Sequence, residues 1–273
     1  MIKVGFQQRF LMARMTRLPI LGRAMEFVFF EEDRMIYLPK DTVAMSTRAT
    51  TIEVVRPVSQ TNVVLPSQVI DHFLQQSRYI FIMNHCMCRR SNHCQHYPED
   101  LGCVFLGAGV LKISPAMGHM ATVEEAMEHM RKGRERGLVH LIGRNKIDSV
   151  WLNTGPKEEL LSICNCCECC CLWKMLPQLS GSISSGVMRM PGVSLTVTDR
   201  CVGCGSCVED GTCFVGAITL REGKAVIDDG LCKGCGRCVE RCPQEAIDMF
   251  IDPQVSIAQA VSTIEPLVDI RKE

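Results

Sequence analysis

Alternation between apolar and polar positions becomes regular only beyond residue 65. The stretch SQVIDHFLQQS places Val69, Ile70, Phe73 and Leu74 on one side of a helix that Ser67 opens. Residues 79–83 form a short unbroken apolar run, the pattern of a buried strand. Thr122-Val123-Glu124-Glu125 is a capping box ahead of Ala126, Met127 and Met130 at helical spacing. After Gly137, residues 138–142 read as a second strand, and 159–163 as a third that runs into cysteines. Residues 256–270 carry Ile257, Ala260, Val261 and Ile264 on one side and read as a closing helix. Before residue 60 the stripe is ragged: apolar residues at 6, 10, 11, 15 and 18 are interrupted by arginines. That segment reads as an extension packed on its own domain, with residues 1–30 open to docking or to peripheral membrane contact.

Composition changes this picture through one residue type. The 273 residues include 18 cysteines, while Lys plus Arg and Asp plus Glu balance at 30 each. A balanced charge gives no field for nucleic acid, and the helix and strand at 122–142, which would suit a winged-helix core, carry no basic stripe. The cysteines fall in four clumps, 86–103, 164–171, 201–213 and 232–242. Adjacent cysteines such as Cys166-Cys167 suit disulfides poorly and metal well. The N-terminus lacks a continuous apolar core and a small-residue cleavage site, and the longest charge-free apolar run, 101–111, is too short to span a bilayer. These features predict a cytoplasmic protein of a reducing, anaerobic cell.

An internal repeat is the strongest signal. CVGCGSCVE from Cys201 and CKGCGRCVE from Cys232 differ at two of nine positions and continue as GAITL and EAIDMF. A Cys-x2-Cys-x2-Cys loop can curl around a cubane and aim amides at its sulfurs, with glycines supplying the tight turns. Zinc would also take Cys-x2-Cys pairs, but three cysteines per loop, a remote fourth and the duplication disfavour it here. Over roughly residues 195–252 the chain resembles the bacterial two-cluster ferredoxins. The resemblance implies that the fourth cysteine of each run binds the other cluster. Cys201, Cys204, Cys207 and Cys242 would then hold one [4Fe–4S] cluster, and Cys232, Cys235, Cys238 and Cys213 the other. Cys242-Pro243 matches the family ending; Cys213 departs from it, with two extra residues before it and Phe214 in place of the proline.

Ten cysteines lie upstream. Cys86, Cys88, Cys94 and Cys103 could supply four thiolates to one cluster, with Arg89 and Arg90 as candidate cofactor-binding cations beside it. Cys164, Cys166, Cys167, Cys169, Cys170 and Cys171 crowd into eight residues, more than one cubane can use. His85, His93 and His96 flank the ligands and are read as neighbours. From about residue 65 to 250 the chain is similar to anaerobe iron–sulfur proteins in which Cys-x-Cys-Arg, a Gly-Leu-Val-His strand (137–140) and an Ile-Cys-Asn-Cys-Cys-x-Cys-Cys-Cys run (163–171) precede a ferredoxin domain. That likeness implies redox work, and it treats the two clumps as one site. The alternatives are one cubane with spare thiols, two cubanes, one larger cluster, or a structural zinc.

The expected fold class is α+β. It comprises an N-terminal extension (1–60), a small mixed α/β cysteine-rich domain (61–180), a Ser/Gly-rich linker (181–194), a ferredoxin-like domain of pseudo-two-fold βαβ type (195–252) and a C-terminal helix (253–273). No strand–Gly-x-Gly-x-x-Gly–helix unit or phosphate loop is present, so flavin or nucleotide chemistry falls to a partner. The expected function is electron transfer through two [4Fe–4S] clusters and at least one further cluster, to or from a flavin- or metal-containing oxidoreductase. The alternative is a reductase whose active site is the upstream cluster. A redox-sensing regulator would need DNA-binding surface that the sequence does not offer.

Overall fold

The computed structural model describes residues 6–44, 65–209 and 211–272. Of the expected extension, residues 1–5 and 45–60 lie outside the described residues. The central element is a seven-stranded sheet in the order β4-β2-β3-β6-β5-β1-β7. Its strands are β1 (Arg34–Leu38), β2 (Ile80–Met83), β3 (Val104–Leu106), β4 (Gly118–Met120), β5 (Val139–Arg144), β6 (Leu161–Cys166) and β7 (Val187–Arg189). All pairs are antiparallel except β1 with β7.

Period-two alternation sorts the sheet's side chains onto two faces. Ile36, Leu38, Ile80, Ile82, Ile142, Leu161 and Ile163 join one core, against Val69, Ile70, Phe73 and Leu74 of α3 (Ser67–Gln76) and Ala126 and Met130 of α5 (Val123–Glu135). Each such side chain contributes roughly 1.5–3 kcal/mol on burial. The capping box forms in part: Thr122 Oγ1 accepts the Glu125 N–H at 3.2 Å, while the Glu125 carboxylate turns to His119 instead. Helix α8 (Ser256–Ile264) closes this same face with Ala260 and Ile264. The inner residues of strands β8 (Val193–Val197) and β11 (Ile247–Ile251) belong to the same core.

The opposite face receives Met35, Tyr37, Val139, Leu141 and Cys166, together with Phe6, Trp173 and Phe214. Helices α1 (Arg9–Met15), α2 (Pro19–Phe29) and α6 (Lys146–Leu152) lie on this side of the chain's path, with α2 against α6. Two segments differ from their sequence reading. Residues 34–38, inside the supposed extension, form an interior strand; a four-residue apolar run flanked by charge is too short to be recognised by period alone. The supposed linker carries a short helix, α7 (Gly181–Ser185), and β7, which extends the sheet beside β1. On α2, Ile20 and Phe27 remain exposed, and among the described residues no helix is long and apolar enough to cross a membrane.

Candidate metal centres

The duplicated loops lie between β8 and β11, separated by the hairpin of β9 (Ile218–Arg221) and β10 (Lys224–Ile227). Gly203 and Gly234, equivalent in the repeat, both have positive φ (68° and 65°), and a Cβ on either would strike its surroundings, at 2.0 Å from Gly223 O and 2.6 Å from Arg189 Cγ respectively. Only glycine gives these turns without strain. Backbone amides reach the cysteine sulfurs: Ala225 N–H donates to Cys201 at 3.4 Å and Gly234 N–H to Cys232 at 3.4 Å. Cys242 Sγ accepts from Ala246 N–H (3.3 Å) and Cys213 Sγ from Ala217 N–H (3.2 Å), each four residues on. The irregular Cys213 therefore occupies the same local geometry as Cys242. Cys201, Cys204, Cys207 and Cys242 line one pocket. Cys213, Cys232, Cys235 and Cys238 interact electrostatically as a second set, which meets the first where Cys238 approaches Cys207. The thiol count, the glycine turns and the N–H···S bonds all suit a pair of iron–sulfur cubanes.

Upstream, the fold divides the ten cysteines differently from the sequence. β6 begins two residues later than expected, because 157–159 form a 3₁₀ turn, so Cys164 and Cys166 lie within the strand. Alternation sends them to the second face with Ser162. There, Cys86, Cys88, Cys103, Cys164, Cys166 and Cys171 line one chamber with Asp148, Trp151 and Trp173, and Cys167 also borders it. Hydrogen-bonding contacts run from Cys103 to Cys164, on to Cys166 and then to Cys171, while Cys86 pairs with Cys88. The hydrogen bond from Cys88 holds the Cys86 thiol down, at about 7. Cys94 leaves its sequence neighbours and joins Cys167, Cys169 and Cys170, whose sulfurs all lie within 4.8 Å of one another. Burial pushes the thiols of Cys167, Cys169 and Cys170 up.

The two arginines separate in role. Arg89 is fully buried, and its guanidinium bonds three carbonyls: Pro98 (2.8 Å), Asn165 (2.7 Å) and Leu101. It ties the 98–101 loop to β6, and its charge acts on Cys86 and Cys167 while its donors are spent on backbone. Arg90 is exposed, as are His85, His93 and His96. Three further residues escaped the sequence reading. Asp148 faces the chamber, accepts from Ser162 Oγ (2.7 Å) and Asn145 Nδ2 (3.0 Å), and is pushed up to about 6 by burial. Tyr37 sets its hydroxyl 3.9 Å from Cys171 Sγ and its ring 5.0 Å from that of Phe214. Arg237 is buried, donates to Cys166 O at 2.8 Å and pairs with Glu168 at 3.3 Å; Glu168 also accepts from Tyr97 Oη at 2.9 Å.

The two loops of the repeat thus have different surroundings. In the first, Val202 and Cys204 are exposed. In the second, the equivalent of Val202 is Lys233, which donates to Val187 O at 2.7 Å, and the equivalent of Ser206 is Arg237. Cys232 and Cys235 pack against the same core as Cys88 and Cys164. The positions where the repeat breaks were visible as differences; their contacts required the fold.

Comparison with known proteins bears on one part of this arrangement. Residues 200–250 match the family model described as a 4Fe-4S dicluster domain. No curated protein and no solved structure gives a match. The chain is an iron–sulfur protein of mixed α/β structure whose dicluster domain adjoins ten further cysteines.

Proposed function

We propose that this protein relays electrons between a partner redox protein, a flavin- or metal-containing oxidoreductase, and a buried upstream centre. In this reading Cys201, Cys204, Cys207 and Cys242 hold an outer [4Fe–4S] cluster, Cys232, Cys235, Cys238 and Cys213 hold an inner one, and the chamber bordered by Cys86, Cys88, Cys103, Cys164, Cys166 and Cys171 holds a further iron–sulfur cluster. Bound there, such clusters supply one-electron transfer. The chain supplies order and insulation. The observation that carries the reading is the unequal burial of the two loops: the first exposes Cys204 to solvent, while the second is anchored by Lys233 to Val187 of β7 and by Arg237 to Cys166, which lines the chamber. Tyr37 and Phe214 fill the intervening space and exclude water from it. The buried Arg237 cation favours the reduced, more negative state of whatever Cys235 ligates. Iron and acid-labile sulfide analysis with EPR of the reduced protein tests this. About twelve irons per chain and a third reduced centre are expected; about eight irons with ferredoxin-type signals alone would remove the upstream cluster.

A second reading has one observation in its favour. Asp148 places a protonatable carboxyl beside the chamber thiols, an arrangement suited to reducing a small substrate with coupled proton delivery. Replacing Asp148 with Asn separates the two. A reductase loses turnover while its clusters still reduce, and a relay is unaffected in electron transfer to its partner.

A further inference from the structure

Four of the upstream cysteines, of which Cys167 also borders the chamber, are spaced unlike any other set. Cys94, Cys167, Cys169 and Cys170 have all four sulfurs within 4.8 Å of one another, and Cys94 Sγ lies 3.6 Å from Cys169 Sγ. Thiolates at about 2.3 Å around a single tetrahedral ion stand roughly 3.8 Å apart. A cubane needs wider spacing, because its irons and sulfides sit between the thiolates. The same structure supplies the yardstick: among the described residues no other set of three or more cysteines, in the dicluster loops or around the chamber, lies within that limit. We propose that Cys94, Cys167, Cys169 and Cys170 bind one zinc ion in a closed, all-thiolate site distinct from the iron–sulfur centres.

The local structure fits that role. Cys167-x2-Cys170 forms a tight turn in which the Cys170 N–H donates to Cys167 Sγ at 3.3 Å, and the backbone amides of His96 and Tyr97 approach Cys94. Such N–H donors orient thiolate ligands and spread their charge. Arg89, beside Cys167, offsets the negative charge of four thiolates on a divalent ion. Four protein ligands leave no open position, which marks a structural site, and zinc has no redox chemistry to divert electrons. The ion joins the loop after α4 (Met87–Ser91) to the turn after β6, the two segments that carry Cys86, Cys88 and Cys103 on one side and Cys164, Cys166 and Cys171 on the other. It therefore sets the width of the chamber without taking part in its chemistry.

The test uses the full chain purified without oxygen. Elemental analysis should find about one zinc per chain besides the iron, and X-ray absorption at the zinc edge should show four sulfur neighbours at about 2.3 Å. The Cys94→Ala/Cys169→Ala double variant should lose at least nine-tenths of the zinc and keep the reduced ferredoxin-type EPR signals. Zinc with nitrogen or oxygen neighbours overturns the proposal, as do a Cys94–Cys169 disulfide without metal, a mononuclear iron at the site, or loss of iron instead of zinc from the variant. If the double variant does not fold, the absorption spectrum of the unaltered protein decides. Iron content and EPR judge the electron relay separately, so either idea can fail alone.

Discussion

The two cysteine loops of the dicluster domain began as near copies and now face different worlds. CVGCGSCVE presents Val202 and Cys204 to solvent, whereas CKGCGRCVE turns Lys233 and Arg237 inward, to Val187 O and to Cys166 O with Glu168. Phe214, which stands after Cys213 where the other run has Pro243 after Cys242, packs on Tyr37, and Tyr37 touches Cys171 of the chamber. The departures from symmetry gather on the side where the domain meets its neighbour. A duplicated module thereby acquires a direction, since one loop is specialised for docking onto the chain's own sheet and the other keeps the simpler, exposed form.

The largest expected effect that would break this contrast comes from the ligands themselves. Cys235→Ala, in the half-buried loop, should destabilise the whole chain by more than about 5 kcal/mol through loss of a centre and the packing around it, whereas Cys204→Ala should cost less than about 2 kcal/mol; anaerobic urea unfolding with iron analysis distinguishes them. Equal losses would mean the loops are not differently supported. Next, Arg237→Ser gives the second loop the first loop's residue at one of their two differing positions and leaves Glu168 without its cation. A loss of about 2–4 kcal/mol is expected, with a lower reduction potential for the adjoining centre, while Ser206→Arg in the exposed loop should change stability by less than about 1 kcal/mol. Phe214→Pro should cost about 2–3 kcal/mol by removing a buried ring, and Tyr37→Phe only about 1 kcal/mol, read as unfolding midpoints.

The smallest effect is a pH dependence confined to the upstream half. Asp33 accepts the Lys146 N–H at 2.7 Å and pins α6, which carries Asp148 and Trp151, to the start of β1; burial pushes its carboxyl up to about 7 from an ordinary 3.8. With the native group holding its proton where the unfolded one does not, stability falls as pH rises between those values and levels off above the upper one. From about pH 6 to pH 8 the loss contributed by Asp33 should be about 1 kcal/mol, and Asp33→Asn should remove that share of the pH dependence, leaving what Asp148 and Cys86 contribute. A slope unchanged by the substitution would place its origin elsewhere.

Legibility in the sequence followed the range of the interactions. The helices from Ser67 and Val123 and the strand at Ile80–Met83 were readable because their patterns repeat within a few residues. β1 was missed because four apolar residues carry no period. β6 was displaced because its cysteines stand in for apolar side chains at buried positions, so the apolar run appeared to stop before the strand did. The upstream site was misgrouped for a related reason. Cys94 lies between Cys88 and Cys103 in the chain, but in space it belongs with the turn after β6.

By itself, the sequence determined the dicluster loops, their glycine turns and the four clumps of cysteine, since those depend on spacing along a short stretch of backbone. Only the tertiary structure decided which cysteines share a centre, which loop faces inward, and what Arg89, Arg237, Tyr37 and Asp148 touch. The physical reason is that these assignments depend on strand order and face: β2, β3 and β6 lie side by side although nearly eighty residues separate the first from the last, and a one-residue alternation sends neighbouring side chains to opposite sides of the sheet.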